Sequence, residues 1–355
     1  MKQTQTDLPL NEAPDAICIL RLSALGDVTH VLPVVNAIQA QWPQTRLSWI
    51  IGKAERRLLQ HIRGIDFMVF DKGGGWGAVR QLRRQLRERR FDVLLHMQVA
   101  ARANFLSRLV RAPLRLGWDR ARSRDRHHWF INHSVPAAPF QHQVEGFLSF
   151  AQTLGISPSE PRWALAATEQ DRQWVRDRLD GSSPSLVISP CSSHALRNWS
   201  AANYARVADH AAATLGLQVV LSGGPGEADR RLATEIESGM RARPVNLTGK
   251  DTLGQLVALL EQADVVISPD SGPAHIASAV GTPVIGLYAA TWSRRSGPYR
   301  SLELCVDRFP EAARKFRQRE PEELRWGTRI EVPGVMDLVP VDAVIEKLEG
   351  LAIRG

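Results

Sequence analysis

Short apolar runs alternate along the chain with longer segments in which apolar residues recur every three or four positions. Runs rich in Val, Ile and Leu are typical of buried parallel strands, and the longer segments are typical of helices that cover a sheet. The pattern predicts strands over residues 16–20, 46–51, 66–70, 91–96, 185–189, 217–221, 264–268 and 283–287. It predicts helices over residues 29–41, 76–90, 200–215, 226–240, 251–263, 272–280 and 340–352. This alternation of strand and helix is typical of an α/β protein with parallel sheets.

A stretch rich in Pro and Ser, residues 156–161, interrupts the pattern and predicts a domain boundary. The length of 355 residues suits two domains. We therefore expect two Rossmann-like, doubly wound domains, residues 1–160 and 161–338, followed by a last helix within residues 339–355. Open α/β sheets bind ligands at the carboxyl ends of their strands, so we expect the strand-end loops to face an interdomain cleft.

The composition narrows the class of protein. Apolar residues make up 44% of the chain and charged residues 23%, as is usual for a soluble globular protein. No apolar run approaches the roughly 18 residues of a transmembrane helix, and the first seventeen residues lack the pattern of a signal peptide. The three cysteines stand at unrelated spacings, which argues against a disulfide framework and a Cys-rich zinc site. We expect a cytoplasmic protein.

The distribution of charge is uneven. Residues 1–150 hold 22 Lys and Arg against 12 Asp and Glu, whereas residues 151–355 hold 23 against 25. A basic first half predicts an anionic partner for that half. Arginine accounts for 39 of the 45 basic residues, a ratio that codon bias in a GC-rich genome would also produce. Codon bias does not explain the asymmetry between the halves.

Four strand-to-helix loops carry the candidate chemistry. Asp27 follows the first strand at a predicted helix start, where it is either a helix cap or a general base facing a ligand. The last of the four loops, residues 268–275, places Asp270 at a strand end, with Ser271 and Gly272 at a helix N-terminus and His275 one turn inside the helix. Such an N-terminus suits a phosphate or sugar hydroxyls, and a buried cap with a satisfied core histidine is the alternative.

The two remaining loops lie between these. Ser192, Ser193 and Arg197 supply two hydroxyls and a guanidinium before a helix, a set that suits a diphosphate, although a solvated Ser-rich loop would have the same sequence pattern. Residues 222–227 form a Gly-rich turn in which Glu227 could bind ribose hydroxyls, although turn formation alone would explain the glycines.

Residues 22–27 (LSALGD) and 269–275 (PDSGPAH) resemble the two signatures of glycosyltransferase family 9, the ADP-heptose:lipopolysaccharide heptosyltransferases. The intervening loops occur in that family's order, and the resemblance covers about residues 15–350. Residues 21–33 and 92–104 are most similar to the heptosyltransferase I branch, which adds the first heptose to Kdo.

The resemblance implies a GT-B fold, with the acceptor in the first domain, the sugar nucleotide in the second, and a C-terminal helix that crosses back to the first. It implies an inverting, single-displacement transfer in which Asp27 is the catalytic base. ADP-heptose would be bound by Ser192, Ser193, Arg197, Glu227, Asp270, Ser271 and Gly272, with His275 near the reaction centre. Many members carry Lys where this chain has Arg197, so the charge is kept while reach and geometry change.

No Asp-x-Asp sequence occurs, so we expect no metal or other cofactor and assign the leaving-group charge to Arg197 and helix N-termini. The basic first half suits a Kdo–lipid A acceptor, with Kdo carboxylates and lipid phosphates. Its predicted contacts are Arg56, Arg57, Arg63, Arg120 and Arg122, although each alone could be a solvated charge. His127, His128 and His133 follow this arginine run, and we expect them to be solvated loop residues.

A lipid acceptor also implies transient attachment at the cytoplasmic face of the inner membrane. Helix 76–90 has Trp76, Val79, Leu82 and Leu86 on one face and arginines elsewhere, so it either rests on an anionic membrane or packs its apolar stripe on the sheet. The alternative functions are another sugar-nucleotide reaction on the same fold, including a second type of heptosyltransferase or an epimerase, and a nucleic-acid-binding protein. No nucleic-acid-binding motif is present in the sequence, so we expect no nucleic-acid partner.

Overall fold

The computed structural model describes residues 7–157 and 160–351. The chain forms two compact units, Met1–Leu165 and Ala166–Gly355. Three parts of the predictions lie outside the described residues: positions 1–6 of the polar N-terminal stretch, positions 158–159 of the predicted boundary, and position 352 of the last predicted helix.

The first unit is a parallel six-stranded sheet covered by helices. Its strands are β1 (Ala16–Leu20), β2 (Arg46–Gly52), β3 (Ile65–Phe70), β4 (Val93–His96), β5 (Leu114–Gly117) and β6 (His133–Ser134). Its helices are α1 (Leu25–Gln41), α2 (Lys53–Leu58), α3 (Gly75–Leu86), α4 (Ala101–Ser107) and α5 (Gln143–Leu154), with a 3₁₀ turn at His127–Trp129. The strand order is β3-β2-β1-β4-β5-β6, which is the Rossmann order.

The second unit repeats this architecture. Its strands are β7 (Ser185–Ile188), β8 (Gln218–Leu221), β9 (Val245–Asn246), β10 (Val265–Pro269), β11 (Val284–Tyr288) and β12 (Val306–Asp307). Its helices are α6 (Glu169–Arg176), α7 (Ala201–Leu215), α8 (Glu227–Gly239), α9 (Leu253–Gln262), α10 (Gly272–Val280), α11 (Ser293–Ser296), α12 (Phe309–Arg317) and α13 (Val341–Glu349). The strand order, β12-β11-β10-β7-β8-β9, is the same Rossmann order read from the other edge.

In each sheet the strand order reverses between the first and fourth strands of the unit. These strands are β1 and β4 in the first unit, and β7 and β10 in the second. Consecutive helices leave such a pair toward opposite faces, so the loops at the carboxyl ends separate and leave a crevice for a ligand. The loops that carry Asp27, Ser192 and Asp270 all follow strands of these two pairs.

Every strand predicted from the apolar runs is present, with bounds within two residues of those predicted. The elements that the pattern missed are mostly short. Strand β5 has four residues with Arg115 in the middle, and β6, β9 and β12 have two residues each, too few for a periodic signal.

Most of helix α3 packs on its own unit, which is one of the two interpretations given above for the Arg-rich segment. Ala78, Leu82 and Leu86 recur every four residues and are buried in the core of the first unit, with Val79 packed beside them. Trp76 is 79% exposed and does not belong to this buried stripe, contrary to its predicted place on the apolar face. It lies before the first buried residue of the helix. The helix therefore packs on its unit, as the second interpretation expected.

The last helix, α13, packs on α7, on the edge strand β12 and on its neighbour β11. Val341, Val344 and Leu348 are buried in the core of the second unit, and Trp199 donates its indole N–H to the carbonyl of Val339, 3.1 Å away. In the part of the chain that the structure describes, no helix is both long and apolar enough to cross a bilayer.

Candidate active site

The loop after β1 holds Asp27 in a network of hydrogen bonds. Asp27 is the third residue of α1, and its Oδ2 accepts the backbone N–H of Ala24 at 3.0 Å. Arg21 forms an ion pair with the same oxygen, while Oδ1 accepts the side-chain amide of Gln143 at 2.6 Å. The carboxylate is thus a helix cap, as one interpretation expected, and 24% of its side chain remains exposed.

Arg21 joins this loop to the loop after β4. Its Nη1 donates to the carbonyl of Met97 at 2.7 Å, and its guanidinium lies over the ring of Phe147, 5.3 Å from the centroid. In the same way, Gln98 accepts the backbone N–H of Leu22 through Oε1 at 2.6 Å. Arg21 is therefore a fixed cation beside Asp27, and the ion pair orients the carboxylate.

Capping and proton transfer do not exclude each other at Asp27. The contacts with Ala24, Arg21 and Gln143 reach both carboxylate oxygens and hold them in place, while 24% of the side chain stays accessible. A carboxylate that is oriented and partly exposed in this way can serve as a base once a substrate hydroxyl replaces one of these contacts. The catalytic role of Asp27 remains a prediction.

In the second unit, Ser192 and Asp270 come together across the crevice between β7 and β10. Ser192 donates its hydroxyl to the carbonyl of Asp270 at 2.8 Å, and its backbone N–H donates to the side chain of Asn198 at 2.7 Å. Beneath them the Ser268 hydroxyl donates to the carbonyl of Ser189 at 2.9 Å. The two loops that the sequence analysis assigned to the donor are thus directly connected.

Arg197 lies in a 3₁₀ turn and is 6% exposed. Its Nε and Nη2 donate to Oε1 of Glu331 at 2.8 and 2.5 Å, and its Nη1 lies 3.8 Å from Oδ2 of Asp270. Two carboxylates therefore fix this guanidinium. Sequence reasoning missed Glu331, which lies 134 residues further along the chain and in no recognisable motif.

Asp270 is ionised in this environment. Burial raises the pKa of the carboxyl, but the hydrogen bond and charge of His275, the charge of Arg197 and the hydrogen bond of Thr291 outweigh burial and hold the pKa below its ordinary value. Nε2 of His275 is 3.5 Å from Oδ1 of Asp270. The pKa of Glu331 is also lowered, because the hydrogen bond and charge of Arg197 outweigh the cost of burial.

The start of α10 follows the predicted pattern. Ser271 is the N-cap residue, and its hydroxyl accepts the backbone N–H of Ala274 at 3.4 Å. The same hydroxyl donates to the Ser268 hydroxyl at 2.7 Å. Gly272 is the first helical residue, and His275 is buried one turn inside. The N-terminus of a helix of this length carries a partial positive charge that favours an anion or a hydroxyl oxygen.

Two predicted donor residues lie at the surface. Ser193 is exposed beside Ser192, and Glu227 is exposed as the first residue of α8, one strand further along the sheet. The Gly-rich turn before Glu227 is fixed by Asp229, whose Oδ1 accepts the backbone N–H of Gly224 at 3.0 Å. The roles of Ser193 and Glu227 in nucleotide binding remain predictions.

Cys191 precedes Ser192 and is not a nucleophile at neutral pH. Burial, together with the charge and hydrogen bond of Asp229, raises the pKa of its thiol to about 12. The thiolate is the reactive form of cysteine, so this site offers no cysteine for a covalent intermediate.

The predicted basic residues of the first unit differ in how much they are engaged by the protein. Arg56 places its guanidinium over the ring of Phe67, 4.4 Å from the centroid, while Arg57 and Arg63 are exposed. Arg57 lies in the last turn of α2, and Arg63 lies in the loop between α2 and β3. These three residues follow strand β2 and precede β3, so they share one part of the unit.

Arg120 and Arg122 follow β5 and have different environments. Arg120 is exposed. Arg122 is committed to the protein: it pairs with Asp119, donates to the side chain of Gln141 at 3.0 Å and to the carbonyl of Pro136 at 2.6 Å. Arg122 therefore shapes its loop, and Arg120 is the freer cation of the two.

The expectation that His127 is a solvated loop residue is wrong, because its side chain is buried. Nδ1 of His127 is 2.9 Å from Oδ1 of Asn104, and Nε2 accepts the backbone N–H of Trp118 at 3.2 Å. His96 shares the same Asn104 oxygen at 3.0 Å. Burial and the charge of His128 lower the pKa of His127 to about 4, and burial followed by the charge of His127 lowers that of His96, so both rings are neutral.

Within the described ranges, 7–157 and 160–351, no group of three or more His, Cys, Asp or Glu side chains is arranged to hold a metal ion. The prediction that the reaction needs no cofactor is not tested by this finding.

Two Rossmann-like units, each with candidate ligand-binding loops at the point where its strand order reverses, are the architecture of the GT-B fold, which is found among glycosyltransferases. Residues 79–325 match the family model of glycosyltransferase family 9 (heptosyltransferase). The chain is also 40% identical to the lipopolysaccharide core heptosyltransferase OpsX of Haemophilus influenzae, over 98% of this chain and 100% of that protein. The chain therefore belongs to glycosyltransferase family 9.

Solved structures show the same fold. The chain is similar to the ADP-heptose lps heptosyltransferase II of E. coli, with a TM-score of 0.71 at 20% identity over 94% of this chain and 97% of that chain. It is equally similar to the E. coli heptosyltransferase WaaC solved with ADP, with a TM-score of 0.71 at 19% identity over 94% and 99% of the two chains. At these identities the comparison carries the fold and no more.

Proposed function

We propose that this protein transfers heptose from ADP-heptose to Kdo of the lipopolysaccharide inner core, with Kdo–lipid A as the acceptor. Its family and its 40% identity to a core heptosyltransferase support the donor and the product. The observation that carries the proposal is the connected set of Ser192, Arg197, Asp270 and His275 at the reversal point of the second sheet. The arginines of the first unit suit an acceptor with carboxylates and phosphates.

In the proposed reaction the acceptor hydroxyl oxygen attacks the anomeric carbon of the heptose, and the bond between that carbon and the ADP oxygen breaks. Asp27 takes the hydroxyl proton, and ADP departs with the bonding electron pair. The transfer inverts the anomeric centre because there is one displacement. Positioned proton transfer contributes about 10²- to 10⁴-fold to such a rate.

Each donor contact has a proposed role that follows from its environment. Arg197 and the backbone N–H groups at Ser271 and Gly272 stabilise the negative charge that develops on ADP. Asp270, ionised beside His275, accepts hydrogen bonds from heptose hydroxyls. Ser193 donates to the diphosphate, Ser192 does so once its hydroxyl exchanges the Asp270 carbonyl for a phosphate oxygen, and Glu227 accepts from the ribose. No metal is required in this scheme.

The proposed acceptor is lipid-linked, so we also propose that the protein works at the cytoplasmic face of the inner membrane and binds it transiently. The experiment that tests the enzymatic proposal is transfer from ADP-heptose to Kdo–lipid A with a chelator present. Wild type is compared with Asp27→Ala and Asp27→Asn, and ADP binding is measured calorimetrically for all three.

Asp27→Asn separates capping from catalysis. The amide oxygen still accepts the Ala24 N–H, so the helix start is kept, but the side chain no longer accepts a proton. We expect both variants to bind ADP as wild type does and to lose at least about 100-fold in transfer rate. Transfer retained by Asp27→Asn would reject Asp27 as the base. Tight ADP binding without transfer by wild type would instead point to another sugar or acceptor.

A further inference from the structure

We propose that a patch of exposed aromatic and arginine side chains in the first unit docks on an anionic phospholipid surface. We call Phe105, Arg108, Arg126 and Trp129 the docking patch. Phe105 is 66% exposed and Trp129 is 60% exposed, and the described residues expose two other large apolar side chains, Val69 and Trp76. Two aromatic rings so exposed within one part of a surface mark an interaction site.

Ring contacts form two groups within the docking patch. The Phe105 ring packs edge-on against Phe130, with centroids 5.8 Å apart, and the guanidinium of Arg108 covers the same Phe130 ring at 5.1 Å. Trp129, the residue before Phe130, carries the guanidinium of Arg126 over its face at 4.6 Å. The patch therefore consists of two groups, each with one exposed ring and one cation, and they adjoin in the chain where Trp129 precedes Phe130.

The backbone under the patch is fixed. Asp125 accepts the backbone N–H of Ala101 through Oδ2 at 2.9 Å, and its carbonyl accepts the side-chain amide of Asn104 at 2.9 Å. The buried His127 adds its hydrogen bond to Asn104. These contacts tie the 3₁₀ turn that ends at Trp129 to helix α4, so the backbone that carries the exposed rings needs little ordering when they bind, and less entropy is lost.

The charge around the patch selects an anionic partner. Residues 98–133 contain eight arginines and two aspartates, with no Lys or Glu. Asp119 is paired with Arg122, and Asp125 is engaged by Ala101. Arg115 is also internal, since its guanidinium donates to the carbonyls of Phe130, Val110 and Ser107 at 2.8–3.0 Å. The other six arginines are exposed: Arg102, Arg108, Arg111, Arg120, Arg124 and Arg126.

A lipid surface fits this combination better than a second copy of the chain. Two identical arginine-rich patches would repel each other, whereas anionic headgroups attract them. Tryptophan favours the boundary between headgroups and acyl chains, because its ring is apolar and its N–H is polar. Arginine beside it extends its charged end to the headgroups. The test needs neither donor nor acceptor sugar, so its outcome is independent of the proposed transfer reaction.

The experiment measures the partitioning of the full-length protein onto vesicles of phosphatidylcholine alone and of phosphatidylcholine with about 30 mol% phosphatidylglycerol, which gives an anionic surface. We expect binding to the anionic vesicles only, weakened by added salt. Phe105→Ala with Trp129→Ala should lower the partition coefficient about tenfold or more, through lost apolar contact. Arg108→Ala with Arg126→Ala should lower it about twenty-five-fold, at roughly fivefold for each charge.

The matched control is Trp174→Ala in the second unit. Arg178 lies over the Trp174 ring at 4.1 Å, so this variant removes an aromatic ring from the same kind of stacked pair outside the patch. We expect it to partition as wild type does. Circular dichroism and thermal unfolding check that every variant is folded.

Several results would overturn the proposal. One is equal partitioning of wild type and the Phe105/Trp129 double variant, and another is an equal loss caused by Trp174→Ala. Loss of binding with Trp76→Ala alone would move the contact to helix α3. A dimeric mass that the double variant abolishes would assign the patch to self-association, and binding to single-stranded DNA in place of vesicles would assign it to nucleic acid.

Discussion

The pair formed by Arg197 and Glu331 gives a sharp test of the donor site. Glu331 fixes two of the guanidinium nitrogens through one carboxylate oxygen, at 2.8 and 2.5 Å, which leaves Nη1 directed toward Asp270. A lysine ammonium at this position is a point charge and cannot bond Glu331 along one edge while presenting another. We therefore expect Glu331 to hold Arg197 in the orientation that a diphosphate needs.

The change to make is Glu331→Ala, compared with Glu331→Gln. The side chains of Arg197 and Glu331 are 8% and 22% exposed, so the ion pair is largely removed from water. Removing one partner of a fully buried pair costs about 3–5 kcal/mol, and a hydrogen bond to a charged group contributes about 1.5–3 kcal/mol. Asp270 still compensates the guanidinium in part, so we expect a loss of about 2 kcal/mol in the free energy of unfolding of the second unit.

Donor binding should change in the same direction. Without Glu331 the guanidinium gains rotamer freedom that ADP binding must remove again, and we expect the Kd for ADP to rise about tenfold, which is about 1.4 kcal/mol. Glu331→Gln keeps an amide oxygen that can accept from the two N–H groups of Arg197. It should therefore show less than half of the loss in the free energy of unfolding, and less than half of the loss in ADP-binding free energy, that we expect for Glu331→Ala. Arg197→Lys should weaken ADP binding with or without Glu331→Gln.

The assays are urea-induced unfolding and isothermal titration calorimetry with ADP. Glu320→Ala is the control, because Glu320 pairs with Arg314 at 3.0 Å on the surface of the same unit, with both side chains 56% exposed. It should behave as wild type in both assays. If Glu331→Ala bound ADP as tightly as wild type or more tightly, Glu331 would be a competitor of the diphosphate and our reasoning would be refuted.

Two further predictions concern the first unit. The pKa of His127 is about 4 in the folded protein against an ordinary 6.5, so the unfolded chain alone takes up this proton as pH falls below 6.5, and the free energy of unfolding should drop by about 3 kcal/mol by pH 4. Urea-induced unfolding, measured at several pH values in that range, should show a free energy of unfolding that depends less on pH in His127→Gln than in wild type. An unchanged pH dependence would contradict the buried neutral ring. Gly117→Ala would place a Cβ 2.5 Å from Nε2 of His127 and 2.6 Å from Cγ2 of Ile131. We therefore expect the free energy of unfolding to fall by about 1–3 kcal/mol. A melting temperature equal to that of wild type would contradict this prediction.

The fold class and the strands with long apolar runs could be predicted from the sequence because their signals are local. Five consecutive buried residues, Ala16–Leu20, leave no alternative to a central strand, and the helix that follows starts beside a recognisable loop. Parallel strands then require crossovers of one hand, which limits the order of the sheet. The same local signals place Asp27, Ser192 and Asp270 in loops that follow strands.

The side-chain partners could not be predicted in the same way. Glu331 and Gln143 lie 134 and 116 residues from Arg197 and Asp27, and neither stands in a pattern that distinguishes it from a surface residue. His127 has the sequence context of a solvated residue because it is flanked by Arg126 and His128, yet one buried amide, Asn104, bonds it from another helix. Pairing across such separations is decided by packing, which periodicity does not record.

The two units hold opposite charges at equivalent places of one architecture. After β1 a carboxylate, Asp27, is held by a cation, Arg21, whereas after β7 a cation, Arg197, is held by Asp270 and Glu331. Under the proposed reaction Asp27 must accept a proton, and the ion pair with Arg21 fixes the orientation of its carboxylate. A group that must stabilise a departing diphosphate needs a positive charge, and here two carboxylates surround it. The second arrangement leaves little net positive charge at Arg197, so under the proposed reaction the helix N-terminus at Ser271 and Gly272 must supply part of the stabilisation of ADP.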